Sequence, residues 1–220
     1  MIKKFSGYDE IQVYDGGAQL EPGGYELKII NAKVEKFTSC EILKVAFDII
    51  NHEQYAGFYK QRFEAAKLQN ADAKWNGVFD VFIPKDDGSE LDSFTKQAFK
   101  RFITSVERSN DGYTWNWDER TLKGKTFGGI FGREEFLTKD GKLKFAVKCR
   151  FPRSIDSIRS GDFQIPEDKL LKNHDELVDK EADKEAAYRT SEQLAAGNDI
   201  MSYGDLSEFE EILSDGDVPF

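Results

Sequence analysis

Lys and Arg are concentrated in residues 120–153, where ten of them stand against three acids. Within this stretch the predicted strand 143–151 alternates apolar and polar residues, and its apolar parity, which includes Phe145, is expected to face the core. Successive side chains of a strand point to opposite faces, so its cations gather on one side: Lys142, Lys144, Lys148 and Arg150. A row of cations on one face can follow a phosphate backbone, although a charge run is more often an ordinary solvated face.

Aromatic rings accompany cations in two further predicted strands. In each strand the rings and cations fall on one face by alternation. These residues are Lys125, Phe127, Phe131 and Arg133 in the strand 125–136, and Phe58, Lys60 and Arg62 in the strand 55–63. Rings stack on bases at about 1–3 kcal/mol per base while cations hold the backbone, so such surfaces bind single strands without reading sequence. The pattern predicts a surface that binds single-stranded DNA. Packing of Phe127 and Phe131 in the core is the alternative, and Trp75, Trp115 and Trp117 are secondary stacking platforms.

Enzymatic chemistry has weaker support in the sequence. Asp15, Glu26 and Lys28 match the short acid and Glu-x-Lys pattern of some metal-dependent nucleases, but an exposed strand face explains Glu26 and Lys28 equally well. Gly124-Lys125-Thr126 lacks the glycine that a Walker motif needs five positions earlier, where Glu119 stands. The two Cys and two His have no ligand spacing. We therefore expect neither a metal nor another cofactor, and no enzymatic activity.

The segments that must position these residues are predicted as strands 25–34, 42–50 and 55–63, a helix 91–106, and strands 125–136 and 143–151. Ser89 and Asp92 are typical of a helix start. Three strands, a helix and two strands is the order of the OB-fold, a partly open barrel that binds oligonucleotides. The predicted fold class is mainly β: an OB-like five-stranded β-barrel with one main helix, followed by an acidic C-terminal tail that is partly helical to disordered.

Charge divides the chain into unlike segments. Residues 1–165 carry 26 Lys/Arg against 25 Asp/Glu, whereas residues 166–220 carry 5 against 16. We therefore predict an OB-like DNA-binding domain in 1–165, a charged and partly helical linker in 166–200, and an acidic partner-binding tip in 201–220. No stretch approaches the roughly 18 apolar residues that span a bilayer, and the start lacks the apolar region of a signal peptide. This predicts a cytoplasmic protein without membrane association.

The final residues Asp217-Val218-Pro219-Phe220 resemble the acidic tip of bacterial single-stranded DNA-binding proteins, which typically end Asp-Ile-Pro-Phe. In that family the Pro-Phe end docks on replication and recombination enzymes, and the acidic stretch can compete with DNA for the basic face. The resemblance implies a partner-binding role for five residues: Asp215, Asp217, Val218, Pro219 and Phe220. The implied partners are host or phage enzymes of replication, recombination or repair.

The segment from Leu20 to Ile29, Leu-Glu-Pro-Gly-Gly-Tyr-Glu-Leu-Lys-Ile, is similar to the opening of a phage family long described only as of unknown function. Its members are thought to be OB-type single-strand binders of recombination modules. The resemblance implies a protein that coats single-stranded DNA during phage replication or recombination in a bacterial host. Two alternatives stay open: an interaction protein that mimics the tip and diverts host enzymes without binding DNA, and a metal-dependent nuclease. The sequence fits a monomer or a homo-oligomer.

Overall fold

The computed structural model describes residues 19–178, together with Lys3 and Ser6. The elements follow in this order: β1 Gly23–Lys36, β2 Glu41–Ile50, α1 Phe58–Gln69, β3 Val78–Ile83, α2 Glu90–Arg108, a 3-10 helix Glu119–Leu122, β4 Thr126–Leu137, β5 Leu143–Arg153 and α3 Ile155–Arg159. Within the described residues, no helix is long and apolar enough to cross a bilayer.

The five strands form one antiparallel sheet in the order β3-β2-β1-β4-β5. The central strand β1 pairs with β2 over Glu26–Lys36 and with β4 over Gly23–Lys28. In the described part of the chain β3 and β5 are the edges and do not pair with each other. The mainly β class and a sheet of five strands are thus confirmed, but the sheet is open and does not close into a barrel.

The core lies on the face of the sheet that carries Leu43, Val45, Phe47 and Ile49, as the alternation in β2 predicts. Helix α2 covers this face with Phe102, Ile103 and Val106. Its predicted start is also confirmed, because the Ser89 hydroxyl accepts a hydrogen bond from the Asp92 N–H at 3.2 Å. In the first turns of α2, Leu91 and Phe94 are exposed.

The predicted strand 55–63 is wrong, because this segment turns and enters helix α1 at Phe58. The Asp48 carboxylate accepts hydrogen bonds from the N–H groups of Tyr59 (2.9 Å) and Lys60 (3.2 Å), so β2 caps the helix that follows it. The aromatic side chains that suggested a strand pack against the core around Phe47. The third strand is instead Val78–Ile83, in which Phe79, Val81 and Ile83 face the core.

The segment after β5 crosses the opposite face of the sheet. The ring of Phe163 lies against Gly24, where an added Cβ would come within 2.5 Å, and Pro166 lies equally close to Gly132. The glycines of β1 and β4 therefore accommodate the chain's own returning segment. Beyond it, the Glu135 N–H donates to the Lys169 carbonyl at 2.8 Å, so the first residues of the predicted linker pack on β4.

Candidate nucleic-acid interface

The cations predicted on one side of β5 do lie together. Lys144 stands opposite Phe136 and Lys148 opposite Gly132 in the β4–β5 register, two residues of like parity on β4. A bulge in the register follows Cys149, and the Arg150 guanidinium turns back toward the same side, where it lies 3.5 Å from a Glu134 carboxylate oxygen. Alternation thus placed these cations correctly, and Lys142 joins them from the β4–β5 turn.

Part of this positive charge is used within the protein. Glu134 accepts from Lys169 at 3.0 Å and Lys148 at 3.3 Å in addition to Arg150. Burial acts to raise the pKa of Glu134, but the ammonium groups of Lys169 and Lys148 outweigh it and hold the pKa below its usual value. Lys142 lies 3.8 Å from Asp140. The exposed end of β5, around Lys142 and Lys144, is the part of the row most available to a ligand.

The prediction that Phe127 and Phe131 form an exposed stacking surface is wrong. Both rings are fully buried and meet the ring of Phe47 edge-on, with centroids 6.1 and 6.0 Å apart. Lys125 does not share a surface with them, because its ammonium lies over the ring of Tyr113 at 4.6 Å. These two aromatic side chains belong to the core and are not part of a DNA-binding surface.

The group Phe58, Lys60 and Arg62 does not form a strand face either. All three lie on α1, where the Phe58 ring is buried. The Arg62 guanidinium covers that ring at 4.8 Å, and Lys60 lies 4.0 Å from Glu64 one turn later. The interleaving of ring and cation seen in the sequence is therefore packing along a helix.

Two half-exposed rings with a cation above them lie at the ends of the two strand hairpins. Phe37, in the β1–β2 connection, is 50% exposed and has the Lys44 ammonium 6.0 Å from its centroid. Phe145, near the β4–β5 connection, is 45% exposed and has the Arg133 guanidinium 5.8 Å away. We call these the hairpin ring–cation pairs. Arg133 also pairs with Asp168 at 3.0 Å.

Sequence reasoning identified only Arg133 of these four residues. It assigned Phe145 to the core by parity, but β5 is an edge strand and Phe145 lies beyond the end of β1. Phe37 and Lys44 were missed, although a Phe just outside the alternation of β1 was a usable signal. On the edge strand β3, Phe82 is 52% exposed on the side away from the core, opposite Ile42 of β2.

The three Trp residues differ in their surroundings. The Trp75 indole N–H donates to the carbonyls of Phe47 and Gly77, both at 3.1 Å, which gives it a structural role. Trp115 packs against the core, whereas Trp117 is 80% exposed. Only Trp117 is thus available as a secondary stacking platform.

Glu26, the central acid of the nuclease pattern, has structural partners. Glu26 accepts two hydrogen bonds from Arg159, at 2.7 and 2.9 Å, and one from the Asn51 amide at 2.9 Å. The Arg159 guanidinium holds the pKa of Glu26 below its usual value. Residues 19–178 contain no group of His, Cys, Asp and Glu that could hold a metal ion. Glu26 therefore anchors the segment that follows β5, and Asp15 lies outside the described residues.

The tip residues Asp215, Asp217, Val218, Pro219 and Phe220 also lie outside the described residues. No protein-family model matches the chain, and no curated protein matches it significantly.

Proposed function

We propose that this chain binds single-stranded DNA with little sequence preference and coats it during phage replication or recombination, as a binding protein and not as an enzyme. The observation that carries the proposal is the presence of a half-exposed ring beneath a cation at each hairpin end: Phe37 with Lys44, and Phe145 with Arg133. An exposed ring offers a stacking surface, and the adjacent cation can reach the phosphate of the stacked nucleotide.

The sheet supports the same proposal. Five antiparallel strands with β1 between β2 and β4, and a helix between β3 and β4, follow the plan of an OB-like domain. OB-type domains bind oligonucleotides on the face of strands two and three and through the loops joining strands one to two and four to five. The hairpin ring–cation pairs lie at these two loops, and Phe82 lies on the edge strand β3, next to β2.

The residues at these positions favour binding without sequence readout. Every base has a flat face that a Phe ring can cover, whereas base-specific binding needs side chains that hydrogen-bond to base edges. Each hairpin ring–cation pair consists of a ring and a cation. Lys144 lies on the other face of β5 from Phe145, so its charge adds to the positive potential of this hairpin without touching the ring. We expect affinity to depend on salt and strand length more than on sequence.

Recruitment of enzymes is the second part of the proposal. It rests on the resemblance of Asp217-Val218-Pro219-Phe220 to the tip of bacterial single-stranded DNA-binding proteins. An acidic run approaches basic surfaces, and a Pro-Phe sequence presents a stiff apolar ligand to a pocket. The proposed partners are replication, recombination or repair enzymes of the host or phage.

A direct test is titration of the full chain with labelled oligo-dT and with a duplex of equal length, at about 50 and about 200 mM salt. Preferential binding of oligo-dT that weakens as salt rises is expected. A chain that leaves oligo-dT unbound at the lower salt yet captures replication enzymes would instead be an interaction protein that mimics the tip. Loss of the oligonucleotide itself in Mg²⁺, prevented by Glu26→Ala, would identify a nuclease.

A further inference from the structure

A concave groove of about 570 Å³ runs along α2, bounded by the end of β5 and the start of α3. It is lined by five cations, Lys96, Lys100, Arg101, Arg108 and Arg153. The residues that line it include no Asp or Glu. We call it the α2 basic groove. A concave surface lined by one sign of charge focuses the electrostatic field and attracts ligands of opposite charge.

Among residues 19–178, most of this charge has no carboxylate partner. Lys96 binds Asp86 and lies 2.8 Å from Asp92. Within residues 19–178, no carboxylate pairs with Lys100, Arg101, Arg108 or Arg153. Cations this close on one helix repel one another. Lys148 and Arg150 of β5, by contrast, share Glu134.

The spacing of the cations indicates a ligand with several negative charges. Arg101 and Arg108 are seven residues apart on α2, which separates them by about 10 Å along the helix axis. Two such long side chains could converge on one phosphate, but the row from Lys96 to Arg108 extends about 18 Å along the axis, which one phosphate cannot cover. Successive phosphates of a nucleic-acid strand or the carboxylates of an acidic peptide could. The groove alone does not distinguish these two classes of ligand.

An aromatic cleft on the other side of α2 does distinguish them. This cleft, of about 740 Å³, is lined by Phe99, Trp115 and Trp117, and it shares Lys96 and Lys100 with the α2 basic groove. Three acids also line it: Asp86, which binds Lys96, Glu107, which accepts from the Trp115 backbone N–H at 3.0 Å, and Glu119. The rings of Phe99 and Trp117 are nearly parallel, at 10° and 6.2 Å between centroids. Trp117 is largely exposed, and its backbone has a φ of +66°. The indole N–H of Trp115 is buried and has no hydrogen-bond partner.

Two features of this cleft are unfavourable in the unbound protein. A bulky residue at positive φ is strained, and such strain is concentrated at functional sites. A buried N–H without an acceptor costs about 1–3 kcal/mol. A nucleobase would cover the exposed ring of Trp117 with a flat face.

We propose that a nucleic-acid strand crosses α2, with its phosphates held in the α2 basic groove by Lys100, Arg101 and Arg108 and a base stacked on Trp117. This proposal rests on the proposed function and adds to it a second binding path, distinct from the hairpin ring–cation pairs. A short oligonucleotide occupies the hairpin ends alone, and a longer one continues across α2.

The test compares two charge-reversed variants of equal net charge. Arg101→Glu with Arg108→Glu changes the groove, and Lys67→Glu with Lys74→Glu changes exposed cations on α1 and the loop after it. Each is titrated with oligo-dT of about 10 nucleotides, within one OB-type site, and of about 35 nucleotides. We expect the groove variant to lose at least about 10-fold in affinity for the longer strand only. Its salt dependence should become shallower by about 0.7 in log–log slope per lost phosphate contact.

Trp117→Ala is the second variant, since it removes the platform without changing charge. We expect weaker binding of the longer strand and less quenching of tryptophan fluorescence by it. Equal losses in the groove and α1 variants would overturn the proposal, because they would reflect net charge alone. It would also be overturned if the groove variant bound the longer oligonucleotide as well as the unmodified chain does but no longer bound a synthetic peptide of residues 197–220. Failure of the unmodified chain to bind either oligonucleotide would instead overturn the proposed function.

Discussion

Phe145 is the residue at which the proposed stacking can be tested most directly. About half of its side chain faces solvent beneath Arg133, so its removal opens no cavity in the core. Phe145→Ala should weaken binding of a short oligo-dT by about 1–3 kcal/mol, roughly 5- to 150-fold, because one base loses its stacking partner. Phe37→Ala should have an effect of similar size. Fluorescence anisotropy at fixed salt measures both.

Phe94→Ala is the matched control for these substitutions. Phe94 is exposed on α2 but lines neither the α2 basic groove nor the aromatic cleft. It should therefore leave affinity unchanged. If Phe94→Ala weakened DNA binding as much as Phe145→Ala, exposed rings would contribute to affinity wherever they lie on the surface. The hairpin ring–cation pairs would then have no specific role.

Glu26 supports a prediction about pH. Its folded pKa is lowered by Arg159, so the stabilisation is fully present above the unfolded value of about 4.3 and is lost as pH falls through the lower folded value. Glu26→Gln should lower the free energy of unfolding at pH 7 by up to about 1 kcal/mol, since Arg159 is largely exposed. Near pH 2 the variant and the unmodified chain should converge. Urea denaturation across pH measures the difference.

Glu41→Gln is the corresponding control, because Glu41 pairs with Lys36 at the surface, 2.9 Å away. It should change stability little at any pH. If Glu41→Gln lowered the free energy of unfolding as much, and with the same pH dependence, the effect of Glu26→Gln would not be specific to the pair of Glu26 and Arg159.

At the level of elements, residues with clear periodicity were predicted well from the sequence. Helix α2 repeats its apolar positions at three- and four-residue steps, and β2 alternates strictly, so both were found within two residues of their ends. The α1 segment was misread because its buried rings, Tyr55, Phe58 and Tyr59, are residues that strands also favour. The carboxylate that caps helix α1 belongs to Asp48 of β2, so the local sequence of the α1 segment does not reveal the cap.

The faces of β4 could not be assigned from the sequence for a related reason. Residues Phe127 to Gly132 are all buried, because the core covers one face and the segment after β5 covers the other. A strand buried on both faces shows no alternation of polar and apolar residues. Alternation correctly placed Phe127 and Phe131 on the same face of β4, but it did not identify that face as the one that packs in the core. The basic surface of α2 was not predicted, because Lys and Arg were summed over segments of the chain and not over the faces of the helix.

The packing of the segment after β5 leads to a prediction for Gly24. A Cβ there would lie 2.5 Å from the Phe163 ring, so Gly24→Ala must displace the ring or the segment that carries it. Overpacking of this kind costs about 1–3 kcal/mol. We expect lower stability in urea and faster hydrogen exchange in residues 160–171. Gly23→Ala is the control, since its Cβ would meet only ordinary contacts with Tyr25 at 3.7 Å.

A double variant separates this contact from a general effect on β1. Phe163→Ala removes the ring, so Gly24→Ala should cost much less in that background than in the unmodified chain. Equal costs in the two backgrounds would mean that the alanine disturbs the strand itself, and that the contact between Gly24 and Phe163 does not hold the segment in place.

Considered as a whole molecule, the chain separates its charges: residues 1–165 are nearly neutral, while residues 197–220 contain seven acids and no Lys or Arg. Deleting residues 197–220 should raise affinity for oligo-dT at about 50 mM salt and have a much smaller effect at about 200 mM, because the acids compete with DNA phosphates for the same cations.

Deleting Phe220 alone should leave DNA affinity unchanged, since it removes no acidic side chain, yet abolish capture of partner enzymes. Both are measured by titration and by pull-down with the full chain as reference. An affinity gain that persisted at the higher salt would argue against electrostatic competition, and partner capture indifferent to Phe220 would remove the tip from the proposal.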